Sequence, residues 1–358
     1  MRYGLIGTGM MGVEHLNNLA ITPGAVVTAI TDPVATSLTW ARAALGAHAN
    51  EVKAFDSPQA LAASGLCDAV IVASPNHTHR DVLVPLFDAG LHILCEKPLA
   101  TTLEDARWIV EEAAKTDRVF WTAMEYRYMP PVAEFIRALA EGAVGALKML
   151  SIREHRFPFL VKVGNWNRFA RNTGGTMVEK CCHFFDLMRL IVGSEAVRVY
   201  CSGAMDVNHR DELYDGAVPD IIDNSFTTVD FANGVRAMLD LSMFAEGAAN
   251  QEEVTAVGDQ ARLDVFIPEG ALVHSPRTGF GNPKKVTRRV VEVDPAALAA
   301  GSHHGSTFYE HQKFIAAVRG EGLVEVTAED GLRAVAIGTA VEISAREKRV
   351  VAMSELGF

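Results

Sequence analysis

The 358-residue chain has few cysteines, no excess of positive charge and no long apolar run. Its five cysteines are odd in number and irregularly spaced, which argues against a disulfide framework and against a zinc site, so no metal is predicted. The net charge of −11 argues against a nucleic-acid partner, because phosphate binding requires a basic surface. No apolar run reaches about 18 residues, so we expect no membrane-spanning helix and no membrane partner.

The N-terminus leads directly into a predicted strand, so we expect no signal peptide. Together with the absence of a disulfide pattern, this favours a cytoplasmic location. Hydrophobic residues make up 49% of the chain and charged residues 22%, which is ordinary for a globular protein. The length predicts two domains, which we place at residues 1–123 and 124–358.

A glycine-rich turn follows the first predicted strand. Residues 7–12 read GTGMMG, and a helix is predicted at 13–19. In dinucleotide-binding folds Gly7 would permit the tight turn, Gly9 would let the backbone approach a pyrophosphate, and Gly12 would let the helix pack on the strand. The motif taken alone also fits an ordinary turn.

An acidic residue ends the second predicted strand. Asp32 lies 20 residues beyond Gly12, where a dinucleotide-binding fold places a carboxylate on the adenosine ribose. A carboxylate there repels a 2′-phosphate, so NAD is predicted over NADP. The alternative is that Asp32 and Pro33 form a simple turn.

Two later strands end in polar residues at the edge of the sheet where ligands bind in α/β folds. Strand 68–73 leads into the loop 74–79, SPNHTH, which can contact ribose or nicotinamide or can cap the following helix through Asn76 and Thr78. The apolar run from Leu91 breaks at Glu96-Lys97-Pro98. Lys97 is a candidate for acid–base work, and the alternative is an ordinary solvated Glu-Lys pair.

Strands alternate with helices throughout this half, which predicts an α/β Rossmann domain with a doubly wound parallel sheet. From residue 147 onward long strands dominate, and hairpins are predicted at 232–234 and 258–260. We therefore expect an α+β second domain with a large, mainly antiparallel open sheet. The last predicted helix, 328–348, is a candidate to pack back on the first domain.

One predicted helix, 177–192, is apolar at nearly every position and yet contains charged residues. His183 lies four residues after Glu179, three after Lys180 and three before Asp186, which places these residues on one stripe of a regular helix. Buried charges are costly unless they are paired or face a cleft. The stripe therefore predicts either a structural salt-bridge network or an acid–base group facing a pocket.

These motifs resemble the glucose–fructose oxidoreductase/inositol dehydrogenase (Gfo/Idh/MocA) family over essentially the whole chain. The matching segments are GTGMMG, SPNHTH, EKPLA, EYRYMP and TGGTMVEKCCHFFD. The resemblance implies an NAD(P)-dependent oxidoreductase acting on a secondary hydroxyl of a sugar, cyclitol or sugar acid. It also implies that Lys97 handles the hydroxyl proton and that His183 binds and polarises the same hydroxyl. Glu179 stands where the family usually has aspartate, and we expect it to bind substrate or relay a proton.

The resemblance extends to two sets of binding residues. Cofactor contacts are expected from Gly7, Thr8, Gly9, Met10, Met11, Gly12, Asp32, Ser74, Pro75, Asn76, His79, Glu96 and Lys97. Substrate contacts are expected from Tyr126, Arg153, His155, Arg156, Trp166, Asn167, Arg168, Lys180 and His183. The arginines suit an anionic group, or they pair with local acids or lie at a subunit contact.

Three classes of function remain open. The first is a dehydrogenase that releases NADH. The second is a redox glycosidase in which bound NAD oxidises a hydroxyl transiently, the aglycone is eliminated, and NADH is re-oxidised. The third is a ligand sensor without catalysis, which Lys97 and His183 argue against. The open face of the second sheet also predicts a homodimer or homotetramer.

Overall fold

The computed structural model describes all 358 residues and divides them into two compact units. The first unit contains Met1–Tyr128, Lys162–Trp166 and Val293–Val335. The second contains Met129–Val161, Asn167–Glu292 and Ala336–Phe358. Each unit is therefore assembled from separate segments of the chain. A domain boundary after residue 123 stays a prediction, close to the end of the first segment.

The first unit is built on a six-stranded parallel sheet with the strand order β3-β2-β1-β4-β5-β6. Its strands are β1 Arg2–Ile6, β2 Val26–Thr31, β3 Lys53–Phe55, β4 Ala69–Val72, β5 His92–Glu96 and β6 Phe120–Ala123. The helices between them are α1 Met10–Ile21, α2 Ala35–Leu45, α3 Pro58–Ala62, α4 His79–Asp88 and α5 Leu103–Ala113. The strand order reverses between β1 and β4, which is the topological switch point where such sheets bind ligands. The doubly wound fold is confirmed.

A late segment of the chain completes this unit. Helices α10 Pro295–Ala300 and α11 Ser306–Val318 both pack on α1. The amide of Thr122 in β6 donates a 3.1 Å hydrogen bond to the carbonyl of Val326. Helix α10 was not predicted, because its six residues include four alanines and carry no amphipathic pattern.

The second unit is built on a nine-stranded sheet with the order β14-β13-β12-β11-β7-β10-β9-β8-β15. Its strands are β7 Leu147–His155, β8 Ala196–Ala204, β9 Asn224–Phe231, β10 Arg236–Ser242, β11 Glu252–Gly258, β12 Ala261–Ile267, β13 Ala271–Pro276, β14 Thr287–Val290 and β15 Val351–Ala352. Every neighbouring pair is antiparallel except β7 and β10. The mainly antiparallel sheet and both predicted hairpins are confirmed.

Five further α-helices are present. They are α6 Pro130–Ala140, α7 Ala170–Thr173, α8 Thr176–Glu179, α9 Cys182–Val192 and α12 Ala328–Glu347. The residues of α12 are divided between the two units after Val335. No helix is both long and apolar enough to cross a membrane.

The prediction of one continuous helix at 177–192 was wrong. The amides of Lys180 and Cys181 both bond to the carbonyl of Thr176, at 2.9 and 3.2 Å. The second of these bonds spans five residues, so the turn is widened as in a π-bulge and the helix divides into α8 and α9. Residues 179 and 183 therefore do not occupy successive turns of one regular helix.

Strand β14 is a fully exposed edge strand of four residues. Strands β13 and β15 were not predicted, because β13 ends in a proline and β15 has two residues. Side chains exposed on the open face of the sheet include Met149, Tyr200, Phe226 and Met238. Self-association through this face stays a prediction.

Candidate functional site

The glycine loop between β1 and α1 has room on one side only. A Cβ on Gly7, whose φ is +88°, would lie 2.5 Å from the backbone of Ala73, and a Cβ on Gly12 would lie 2.3 Å from the carbonyl oxygen of Gly7. Packing alone therefore requires glycine at these two positions. A Cβ on Gly9 would meet nothing within 4 Å. Gly9 is also the N-cap of α1 and no side chain caps that end, so the loop fits a dinucleotide pyrophosphate.

Asp32 is fixed beside this loop at the end of β2. Its Oδ2 accepts hydrogen bonds from the amide of Thr8 at 2.7 Å and from the Thr8 hydroxyl at 3.2 Å, and its Oδ1 accepts from the amide of Val34 at 2.8 Å. Asp32 therefore forms the local turn and also holds the glycine loop. The two interpretations of this residue are compatible. Met10 is exposed and Met11 half-buried at the start of α1.

The loop after β4 is held together by its own side chains. The Thr78 hydroxyl donates to the hydroxyl of Ser74 at 2.8 Å and to the carbonyl of Pro75 at 2.7 Å. Neither Asn76 nor Thr78 caps α4 through its side chain, so that expectation was wrong. His79 is fully buried, and its ring nitrogens lie 3.2 Å from the carbonyls of Leu99 and Ser74.

The Glu-Lys pair lies at the carboxyl end of β5, with Lys97 half-buried and Glu96 buried. Glu96 Oε1 lies 2.9 Å from His15 Nε2, and Glu96 Oε2 accepts a 3.1 Å hydrogen bond from the amide of Lys97. Burial favours the neutral carboxyl, but the hydrogen bond with His15 and the nearby charge of Lys97 hold the pKa of Glu96 below its ordinary value. Glu96 thus links the strand of Lys97 to helix α1.

Further polar residues of the first unit lie in its interior. Burial, with the charge of Glu96, raises the pKa of Glu125 to about 7. The ring of Tyr126 lies 6.2 Å from that of His303, and the ring of Trp166 lies 6.1 Å from that of His77. Both predicted substrate residues of this unit therefore lie against histidines.

In the second unit, Glu179, Lys180 and His183 are all buried around the widened turn. Lys180 Nζ lies 2.9 Å from Glu154 Oε1 on β7. Glu154 is directly opposite Glu252 on β11, and burial together with Glu154 raises the pKa of Glu252 to about 7. Two buried carboxyl groups and one ammonium group thus share this interior.

The arginine-rich segment is largely paired with local acids. Arg153 and His155 point to the open face of the sheet, where Arg153 pairs with Glu253, and His155 Nε2 lies 3.2 Å from Asp240 Oδ1. On the other face Arg156 lies 3.6 Å from Glu154. The remaining distances are 2.9 Å from Arg168 Nε to Glu212 Oε2 and 3.0 Å from Asn167 Nδ2 to the carbonyl of Leu160.

Sequence reasoning missed His15, Glu125, Glu154 and Glu252. Glu154 was detectable, because it continues the buried series of Leu150 and Ile152 along β7. His15 carried no such signal, because Glu14, Asn17 and Asn18 near it on α1 are polar as well. The five cysteines are free and buried, and no cluster of three or more His, Cys, Asp or Glu side chains has the arrangement of a metal site.

The glycine loop, Asp32 and the switch point together define a nucleotide-binding Rossmann unit. Family models agree with this: residues 1–124 match an oxidoreductase family with an NAD-binding Rossmann fold, and residues 136–353 match the C-terminal alpha/beta domain of the same family. The chain therefore belongs to the Gfo/Idh/MocA oxidoreductase family and is an NAD-binding oxidoreductase.

Individual proteins are similar over the full length. The chain is 28% identical to a myo-inositol 2-dehydrogenase of Thermotoga maritima, with 99% of each chain covered. It is 26% identical to an inositol 2-dehydrogenase of Rhizobium meliloti, again with 99% of each covered. A levoglucosan dehydrogenase solved with NADH and levoglucosan superposes with a TM-score of 0.84, covers 98% of each chain and is 22% identical, which shows the fold.

Proposed function

We propose that the protein is an NAD-dependent dehydrogenase that oxidises a secondary hydroxyl of a sugar or cyclitol. The observation that carries this proposal is the position of Lys97, at the carboxyl end of a strand in the same unit as the glycine loop. The inositol dehydrogenases that are similar over their full length support a polyol substrate. NAD supplies the hydride acceptor, and the protein supplies orientation and proton transfer.

Lys97 accepts the hydroxyl proton in this proposal. Its half-buried position and the positive nicotinamide ring favour the neutral amine. His183 binds and polarises the same hydroxyl, and the buried carboxylate of Glu179 binds a neighbouring hydroxyl or relays the proton.

Asp32 gives the cofactor preference. Its carboxylate lies at the end of β2 beside the loop and repels a 2′-phosphate, so we propose NAD as the cofactor rather than NADP. The test compares the ratio of kcat/KM for NADP to kcat/KM for NAD in the wild type and in Asp32→Ser. We expect this ratio to be higher in the variant.

A neutral substrate is favoured over an anionic one. Arg153 and Arg168 already have carboxylate partners within the second unit. An anion would have to compete with those partners. Arg168→Ala is therefore expected to change KM similarly for a neutral polyol and for its sugar acid, whereas a loss confined to the acid would indicate an anion site.

The decisive experiment mixes the protein with NAD and a panel of inositols, sugars, sugar acids and aryl glycosides, and records NADH absorbance together with aglycone release. Stoichiometric NADH with one polyol supports the dehydrogenase. Aglycone without net NADH would instead indicate the redox glycosidase, and NAD binding without turnover would indicate a sensor. Lys97→Met is expected to lower kcat by about 10²–10⁴-fold while NAD still binds.

A further inference from the structure

A buried chain of hydrogen bonds runs from Lys97 into the interior of the first unit. The amide of Lys97 donates to Glu96 Oε2 at 3.1 Å, Glu96 Oε1 lies 2.9 Å from His15 Nε2, and His15 Nδ1 lies 3.0 Å from His311 Nε2. Both histidines are 0% exposed. The chain connects β5 to α1 and then to α11.

The nitrogen that carries the proton on each histidine can be assigned by starting from His311, the residue at the inner end of the chain. His311 Nδ1 is buried without a hydrogen-bond partner, and burial keeps the pKa of His311 well below its ordinary value. His311 is therefore neutral and carries its proton on Nε2, where the acceptor is His15 Nδ1. His15 must then carry its own proton on Nε2 and donate it to Glu96. Both oxygens of Glu96 consequently accept N–H donors, which is the environment of an ionised carboxylate.

Other titratable groups face this chain from the surrounding elements. They are His79 on α4, Glu125 after β6, His303 before α11 and Glu310 on α11. Glu125 and Glu310 are buried carboxyl groups whose pKa values are raised, first by burial and then by neighbouring carboxylates. Glu96 is thus the carboxylate of this group that is held ionised.

We propose that His15 is a positioning residue for Lys97, acting through Glu96. By donating to Glu96 it keeps a negative charge at the end of β5 and so favours the ammonium form of Lys97. This inference rests on the proposed acid–base role of Lys97. Helix α1 would then have two roles: its N-terminus faces the cofactor pyrophosphate, and its residue His15 influences the protonation of Lys97.

The test measures Lys97 directly. The full-length protein without NAD is treated with a trace of acetic anhydride over a range of pH, and acetylation of Lys97 is quantified by peptide mass spectrometry, because only the neutral amine reacts. Glu96→Gln removes the charge and is expected to lower the midpoint of Lys97 by about one pH unit. His15→Asn retains an amide near His311 but is too short to reach Glu96, and it should lower the midpoint similarly.

The conservative variant His15→Gln distinguishes loss of the hydrogen bond to Glu96 from a general disturbance of the structure around residue 15. The amide of His15→Gln can replace the Nε2–H donor, so its midpoint should stay within about 0.3 units of wild type. His92→Gln, at the other end of β5, is the matched control and should leave the midpoint unchanged. The proposal is overturned if His15→Asn leaves the midpoint unchanged, or if His15→Gln shifts it as far as His15→Asn does.

A second readout uses the enzyme activity. With a substrate identified, the acidic limb of the kcat/KM profile for alcohol oxidation should move to lower pH in Glu96→Gln and His15→Asn by the same amount as the labelling midpoint. If no alcohol is oxidised, the proposed function fails, but the labelling result still decides the role of His15.

Discussion

Each unit buries a pair of glutamates beside a residue predicted for the active site, Lys97 in the first and Lys180 in the second, but the two pairs are held in different ways. In the first unit Glu96 is held by the imidazole of His15, and Glu125 has a pKa raised to about 7. In the second unit Glu154 is held by the ammonium group of Lys180, and Glu252 has a pKa raised to about 7. An imidazole can stay neutral in the interior. A buried lysine instead carries a full positive charge, and the cost of burying that charge is offset by the negative charge of its partner. The second unit should therefore be more sensitive to loss of its carboxylate.

The largest expected effect breaks the pair in the second unit. Glu154→Gln removes the carboxylate that lies 2.9 Å from Lys180 Nζ, and because loss of one partner of a buried ion pair is costly it should lower the free energy of unfolding by about 3–5 kcal/mol. The measurement is urea unfolding at pH 7. The control is Glu253→Gln on the neighbouring strand β11, whose partner Arg153 is more than a third exposed, and its cost should be below about 1 kcal/mol. Equal costs would refute the distinction.

The raised pKa values of Glu125 and Glu252 predict a pH dependence of stability. Glu125 and Glu252 retain their protons in the folded state up to about pH 7, whereas the unfolded chain loses them near its ordinary carboxyl pKa. Stability should therefore fall as the pH rises from about 4.5 to 7, by at most about 3 kcal/mol for each residue.

Glutamine substitutions separate the two contributions. Glu252→Gln and Glu125→Gln should each flatten part of this pH dependence and cost little at pH 5, where both carboxyl groups are already neutral. Unfolding midpoints at pH 5 and pH 8 measure this. If the change of stability with pH is the same in one variant as in the wild type, the glutamate replaced in that variant is ionised in the folded protein. Only one of the two pairs would then contain a glutamate with a raised pKa.

The smallest effect on stability comes from the glycine loop. Gly12→Ala brings a Cβ to 2.3 Å from the Gly7 carbonyl oxygen and should lower both stability, by about 1–3 kcal/mol, and NAD affinity. Gly9→Ala meets no protein atom and should change stability by less than about 0.5 kcal/mol while weakening NAD binding. Thermal unfolding and NAD titration measure both. Normal NAD affinity in Gly9→Ala would show that the pyrophosphate lies elsewhere.

The sequence was most informative where a local pattern determines the structure. The glycine motif, the strand ending at Glu96 and the antiparallel hairpins follow from glycine spacing, proline and strand alternation, and all are present. The widened turn at Cys181 was not predictable, because apolar periodicity cannot distinguish a regular helix from one with a five-residue hydrogen bond. Contacts such as that of His15 with His311 join residues nearly 300 positions apart, and no local pattern encodes them.

The return of the late segment to the first unit has a consequence for biosynthesis. Trp121 Nε1 donates to Glu310, and Phe314 and Val326 are fully buried in this unit. When the ribosome has synthesised the six parallel strands, these partners do not yet exist, so α1 and β6 emerge with apolar surface uncovered. The sheet of the first unit is therefore translated early but gains its full set of packing partners only late in synthesis. Until residues 293–335 leave the exit tunnel, the nascent chain presents that surface to chaperones.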